Sequence, residues 1–273
     1  MIPTLSQVCS LHAAFGTDIE DYAAGQCRSV ELWFTKLEDY LEGHSVEDVR
    51  QLLDALSVRA SVAGLQGGLL DSEAAARDEA WKLFRSRLQL SRELGIETIV
   101  VACDVSGPLT RLTIDRVRGS LVELAAAAGD ASVRVALEFQ GRAALGNNLQ
   151  TAVALIEEVG SPSLGLCLDT FHFEIGPSKW ADLGLLHAGN LFHVQLSDFA
   201  DVPRELASDS DRILPGDGML AFEPLLERLR EIDYGGCVSL ELMNPRIWLV
   251  PPRQFGEIAM TSLRKLLGLA SMT

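Results

Sequence analysis

The sequence predicts an α/β fold, a (β/α)8 barrel occupying residues 1–273 as one domain. Three observations carry that expectation. Short β-type runs alternate with helical patterns from end to end. No linker rich in Pro, Gly or Ser separates them. Runs such as Ile99-Val100-Val101-Ala102 are apolar on both faces, which suits a parallel strand covered by helices. Eight strand–helix pairs favour a closed barrel over an open doubly wound sheet. An open sheet usually carries a phosphate-binding glycine turn, and neither GxGxxG nor GxxxxGK(S/T) follows any strand here.

Taken in order, the strands are expected at Thr4–Cys9, Ser29–Phe34, Val58–Leu65, Thr98–Ala102, Arg134–Phe139, Leu164–Leu168, Leu191–Leu196 and Cys237–Leu242. Helices are expected near 18–24, 45–56, 72–94, 113–128, 148–159, 180–187, 222–232 and 253–267. In the third helix Trp81, Phe84, Leu88 and Leu94 recur at roughly helical spacing, leaving Lys82, Arg85 and Arg92 for solvent. Glycines punctuate helix ends before strands, as in Leu94-Gly95-Ile96 and Tyr234-Gly235-Gly236.

Composition narrows the function. Of 273 residues 48% are hydrophobic, enough for a sizeable core. A net charge of −15 argues against a nucleic-acid partner, because such binding rests on cationic neutralisation of phosphates. Five scattered cysteines, with no CxxC among them, fit reduced thiols in a cytoplasmic protein. The first residues lack the cationic start and long apolar run of a signal peptide, and no stretch approaches the ~20 apolar residues of a membrane span. A soluble, cytoplasmic protein with no membrane partner is expected.

Reactive side chains of such barrels sit at the C-terminal ends of the strands. Strand five ends Val-Ala-Leu-Glu138-Phe and strand six ends Leu-Cys-Leu-Asp169. Strand seven reads Phe-His193-Val-Gln195-Leu and strand eight Val-Ser-Leu-Glu241-Leu. Four successive strands thus bring oxygen donors to one rim, with neighbours about 4.8 Å apart. Three carboxylates in one mouth repel one another unless protons or a cation neutralise them. One divalent metal ion would do so. Three carboxylates and an amide oxygen form a hard donor set, which favours Mg²⁺ or Mn²⁺, while Co²⁺ or Zn²⁺ would also bind. Singly, each residue also reads as a solvated or hydrogen-bonded strand end. His193, deeper in its strand, reads as a core histidine. Trp33 and Gln66 fall at the mouths of strands two and three, where lining a pocket and plain packing are both open.

Several of these stretches resemble the xylose isomerase-like TIM-barrel superfamily, which includes tagatose and psicose 3-epimerases, hydroxypyruvate isomerase, inosose dehydratase and dehydroshikimate dehydratases. Leu-Cys-Leu-Asp169-Thr-Phe-His172 resembles its D-x-x-H segment, and Phe-His-Val-Gln195-Leu-Ser-Asp198 its next strand. Arg212-Ile-Leu-Pro215-Gly216-Asp-Gly218 resembles its R-x-x-P-G-x-G loop, and Ser-Leu-Glu241-Leu its final metal-binding strand. Val-Glu31-Leu-Trp33 extends the likeness to strand two, so that it spans nearly the whole chain. The resemblance implies Glu138, Asp169, Gln195 and Glu241 as metal ligands, with His172 and Arg212 touching substrate oxygens. Many epimerases carry His where this chain has Gln195; hydroxypyruvate isomerase-like proteins carry Gln. The superfamily's DNA-cleaving branch, endonuclease IV, holds three zinc ions with a histidine set that five histidines here do not reproduce.

The activity so implied is a metal-dependent isomerase or epimerase acting on a small keto-sugar or related polyhydroxy ketone. In that reading Glu138 and Glu241 are the catalytic acid and base, one removing a proton beside a carbonyl and the other returning one on the opposite face through a metal-stabilised enediolate. A dehydratase of a keto-cyclitol or dehydroshikimate-like substrate is the alternative, because proton loss followed by expulsion of a β-hydroxyl uses the same groups. One dehydratase subgroup has His and Lys where this chain has Gln140 and Ser197. A non-catalytic carbohydrate-binding barrel is the third reading. His172 also suits a hydrogen-bond partner of Asp169, and Arg212 an ion pair within the acidic stretch Asp209–Asp211. The segment Asp201–Asp211 looks longer than in the tagatose-type epimerases. The partner implied is a small carbohydrate-like molecule, and the resemblance implies a homodimer or homotetramer.

Overall fold

The structure is a computed structural model that describes residues 1–70 and 74–269. Its strands are β1 (Ile2–Ser6), β2 (Ser29–Trp33), β3 (Arg59–Gln66), β4 (Thr98–Cys103), β5 (Arg134–Phe139), β6 (Leu164–Asp169), β7 (Leu191–Leu196), β8 (Asp198–Phe199), β9 (Arg212–Ile213) and β10 (Cys237–Leu240). Eight of them close a (β/α)8 barrel in the hydrogen-bonded order β1-β10-β7-β6-β5-β4-β3-β2, while β8 and β9 form a separate two-stranded sheet. The described residues divide into two compact units, one within 1–63, 194–226 and 235–269, the other within 64–70, 74–193 and 227–234.

In the first unit β1 pairs in parallel with β10 and β2, and Leu5 lies opposite both Leu240 and Val30. All three are fully buried, consistent with a strand covered on both faces. The helix Val46–Leu56 begins at a capping box, Ser45 Oγ accepting from Asp48 N at 3.2 Å and Asp48 Oδ2 from Ser45 N at 2.7 Å. The last helix, Pro252–Leu266, buries Phe255, Ala259, Met260 and Leu263 on one stripe. It passes the C-terminus of the helix Phe15–Ala24 so closely that a Cβ on Gly25 would lie 2.8 Å from the Gly256 carbonyl carbon.

Several strand limits expected from the sequence shift in this unit, the second strand ending at Trp33 rather than Phe34, and two C-terminal ends move by two residues or more. The first strand stops at Ser6, not Cys9, and Gln7–Ser10 form a 3-10 turn. The cause is a distant lysine: Lys36 Nζ donates to the carbonyls of Gln7 at 3.3 Å and Ser10 at 2.6 Å. The last strand stops at Leu240, not Leu242. There Cys9 Sγ donates to Leu240 O at 3.3 Å and accepts from Leu242 N at 3.2 Å, in place of a continued ladder. A helix over Phe34–Leu41 was not anticipated, although Phe34, Leu37 and Leu41 recur at helical spacing.

Lys36 is buried against Asp18 in an ion pair. Burial lifts the Asp18 carboxyl to about 7, against the pull of Lys36, and lowers the Lys36 ammonium. Ser10 Oγ and Tyr22 OH hydrogen-bond beside them.

In the second unit β4 and β5 pair in parallel, as do β5 and β6, with Ala102 opposite Glu138 and Glu138 opposite Cys167. The helix Ala74–Leu94 buries Trp81, Phe84 and Leu88 and exposes Lys82, Arg85 and Arg92, as its periodicity predicts, while Leu94 at its end is half-buried. Its two expected first residues, 72 and 73, lie outside the described residues. Gly95 takes a left-handed φ of +72° after that helix, but near residue 235 the left-handed position is Asp233, φ +50°, rather than a glycine. Residues 180–187, expected as a helix, form a 3-10 segment over Trp180–Leu185. A short helix, Thr170–Ile175, begins where β6 ends.

All five cysteines are buried, and none is joined in a disulfide among the described residues. Burial pushes the Cys103 thiol up to about 12 and the Cys27 thiol to about 11. Among the described residues no helix is long and apolar enough to cross a membrane.

Candidate functional site

The six site residues expected from the sequence fall three in each unit, and each group is built by its own local structure.

In the second unit Glu138 is the penultimate residue of β5 and Asp169 the last of β6, both buried. Asp169 is the N-cap of the helix Thr170–Ile175, its Oδ1 accepting from Phe171 N at 2.6 Å and His172 N at 3.4 Å. That cap fixes the first helical turn and carries the His172 ring to Glu138, with Nε2 3.9 Å from Oε1. One ligand atom each from Glu138, Asp169 and His172 lies within 4.8 Å of the others. Gln140 Nε2 donates to Glu138 Oε2 at 2.7 Å. The loop after β5 and the turn after the short helix approach closely at two glycines. A Cβ on Gly141 would lie 2.8 Å from His172 O, and one on Gly176 would lie 2.7 Å from Asn147 O.

The spacing alone would admit His172 as a metal ligand. Its hydrogen bonding points elsewhere. Nδ1 accepts from Gly141 N at 3.4 Å, so a neutral ring carries its proton on Nε2, the atom turned toward Glu138. A ligating nitrogen needs its lone pair, and an Nε2–H is instead a donor for an oxygen. The contact to Asp169 that the sequence allowed is made by the His172 backbone amide.

In the first unit Gln195 lies opposite Ser239 in the β7–β10 ladder, and Glu241 follows that ladder with its N–H on Leu196 O at 3.0 Å. Gln195 Nε2 donates to Glu241 Oε1 at 3.0 Å and to Glu31 Oε1 on β2 at 2.9 Å. All three side chains are buried. With both amide protons given to carboxylates, the carbonyl oxygen is the atom of Gln195 suited to a cation. Arg212, on β9 and 1% exposed, donates from Nη1 to Glu241 Oε2 at 3.3 Å and from Nε to Asp209 Oδ1 at 2.9 Å. Of the two roles the sequence left open for Arg212, the ion pair within Asp209–Asp211 is the one the geometry contains. Cys9 Sγ touches the backbone on either side of Glu241, and burial, with Glu241, Glu31 and Asp18 nearby, pushes its thiol far up.

Gln66 is buried at the end of β3, its amide donating to Gly67 O at 2.7 Å and accepting from Arg87 at 3.1 Å. Trp33 is half-buried, with its N–H on Gln7 Oε1 at 3.0 Å, and His193 is fully buried in β7. Sequence reasoning gave no role to Glu31 or Gln140. A carboxylate between Val30 and Leu32 in an apolar strand was the available signal for Glu31. Gln140 stood out only as the position where one dehydratase subgroup carries His; its bond to Glu138 had no signal in the sequence.

The donor chemistry suits a divalent cation. Glu138 and Asp169 in one group, and Gln195 and Glu241 in the other, are buried oxygen donors whose orientation is fixed by hydrogen bonds to neighbouring atoms.

Comparisons with known proteins agree with this architecture. An inosose isomerase of Halalkalibacterium halodurans is 27% identical over 218 residues, covering 78% of this chain and 77% of that one. A 3-dehydroshikimate dehydratase of Pseudomonas putida is 27% identical over 275 residues, covering 97% of this chain and 41% of that one. The crystal structure of an IOLI protein with a bound zinc atom superposes with a TM-score of 0.92 at 22% identity, covering 100% of both chains. The family model described as a xylose isomerase-like TIM barrel matches residues 21–266, and the chain belongs to that family.

Proposed function

We propose that the chain is a divalent-metal-dependent isomerase or epimerase of a small keto-sugar or polyhydroxy ketone, working as a single domain over residues 1–273. The observation that carries the reading is a pair of strand-end glutamates, Glu138 and Glu241, each buried and each held by a side-chain amide. A carbohydrate-binding module has no use for two such carboxylates; a proton transfer between faces of a carbon needs both. Similarity to an isomerase and to a dehydratase supports an enzyme of this general kind.

Glu138, Asp169, Gln195 and Glu241 are the residues that would hold one divalent ion, their oxygens suiting Mg²⁺ or Mn²⁺ and also admitting Co²⁺ or Zn²⁺. When bound, the ion polarises the carbonyl and neighbouring hydroxyl of the substrate, which makes the adjacent C–H acidic enough to ionise. Glu138 and Glu241 move the proton, one as base and the other as acid. His172 donates its Nε2–H to a substrate oxygen, and Arg212 presents its guanidinium to another. Burial of these groups excludes water, which strengthens each of their hydrogen bonds to the reacting atoms.

Dehydration is the second reading, favoured by the dehydratase similarity along 97% of this chain. It begins with the same proton removal and ends with loss of a β-hydroxyl. One experiment separates the readings. Metal-loaded protein is incubated in D₂O with ketoses, inososes and keto-cyclitols and followed by NMR. Deuterium beside a carbonyl with an isomeric product supports the isomerase; an alkene supports the dehydratase. Absence of exchange on every substrate, in protein that retains no metal on purification, would remove both.

A further inference from the structure

The loop following Arg212 is wrapped around one buried carboxylate. Asp198, 1% exposed, accepts four backbone amides: Phe199 N at 3.0 Å and Leu220 N at 2.9 Å on Oδ1, Gly216 N and Gly218 N at 3.0 Å each on Oδ2. The same residue pairs with Ile213 across the β8–β9 ribbon, and Phe199 pairs with Arg212. The backbone is shaped for this wrapping. Gly216 has a φ of +94°, and a Cβ on Gly218 would lie 2.3 Å from Asp198 Oδ1 and 2.4 Å from Phe199 O. Outside the loop, Asn244 Nδ2 donates to Arg212 O at 2.9 Å and Ser262 Oγ to Pro215 O at 3.0 Å.

We propose that Asp198 is a positioning residue for Arg212. By gathering the amides of residues 216, 218 and 220, its carboxylate closes the loop, and the closed loop holds the ribbon register that delivers the Arg212 guanidinium to Glu241. A carboxylate is the group suited to this: it accepts on both oxygens and donates on neither. Asparagine keeps the shape but turns an –NH₂ toward two of the four amides. This inference rests on the reading that gives Arg212 a place beside substrate, but it is tested without substrate.

The test is chemical labelling of Arg212 with phenylglyoxal, read by peptide mass spectrometry, alongside amide hydrogen exchange of the loop. In the native protein Arg212 is 1% exposed and labels slowly. Asp198→Asn is expected to lose amide protection at Gly216 and Gly218 and to label Arg212 about tenfold faster or more. Gly218→Ala, whose Cβ presses on the same carboxylate, is expected to give the same pair of changes, and it serves as the test if Asp198→Asn does not fold. Loop amides that lose protection while Arg212 labels at the native rate would overturn the proposal, leaving Asp198 a brace for the loop alone. The two readings fail separately. Native protein that exchanges no substrate proton, combined with fast Arg212 labelling in the variants, refutes the enzymatic reading and leaves the positioning intact.

Discussion

Glu138 is the penultimate residue of β5 and Glu241 the first residue after β10, and the two units secure them by different means. Around Glu138 the second unit works with backbone shape: an N-capped short helix and a glycine contact that brings His172 close. Around Glu241 the first unit works with charge. Arg212 and Asp209 lie on one side, and the buried Lys36–Asp18 pair fixes the 3-10 turn that carries Cys9. Shape tolerates changes of pH and salt but not an added atom. Buried charge tolerates small changes of volume but not loss of a partner. The surroundings of the two glutamates should therefore break under different insults.

The largest effect tests what the two glutamates share. Glu138→Gln and Glu241→Gln should each slow deuterium incorporation in D₂O by about 10²–10⁴-fold. A variant that exchanges at the native rate would remove its glutamate from the proton transfer and end the proposed symmetry.

Next comes the charged half. Lys36→Met should cost about 3–5 kcal/mol in urea unfolding, because it strands a fully buried carboxylate. The same pair sets a pH dependence. The folded state raises Asp18 from its ordinary 3.8 to about 7, so it keeps a proton that the unfolded chain releases across that window. This contribution to stability is complete below about pH 4 and falls as pH climbs toward 7. Asp18→Asn should flatten that slope in unfolding curves taken across the window, and an unchanged slope would exclude Asp18 as its source.

The shaped half answers to volume. Gly141→Ala should destabilise by about 1–3 kcal/mol, because its Cβ meets His172 O and Ile175 Cγ1, each at 2.8 Å. Its penalty should be the same at pH 5 and pH 7, where that of Lys36→Met shifts. Smallest is Cys9→Ser, which keeps a donor and acceptor beside Leu240 and Leu242 and should cost about 1 kcal/mol or less in the same unfolding experiment. A larger loss would mean that the size of sulfur, rather than its hydrogen bonds, sets the end of β10.

How far the sequence could be read follows the same division. Strand alternation and apolar runs are local, so β5 and β7 appear with their observed limits and Glu138, Asp169, Gln195 and Glu241 stand out as polar ends of apolar strands. What escaped depends on groups far apart in the chain. Cys9 meets Leu240 across 231 positions, and Lys36 reaches Ser10 across 26. These two contacts end the first and last barrel strands early, and no periodicity carries their signal. Glu31 was visible as part of a motif, but its hydrogen bond to Gln195 spans 164 positions and had to be seen.

The cap at Asp169 has a consequence for ion selectivity. One carboxylate oxygen is committed to two backbone amides, so in the proposed ligand set Asp169 would offer a cation one oxygen rather than a chelating pair. Ions that fill a large coordination sphere with two-oxygen carboxylates, as Ca²⁺ does, would have to strip the cap from the helix Thr170–Ile175 to be satisfied. Smaller ions content with one oxygen per side chain would not. Under the proposed ligand set, the choice of metal would thus be tied to the integrity of the turn that aims His172.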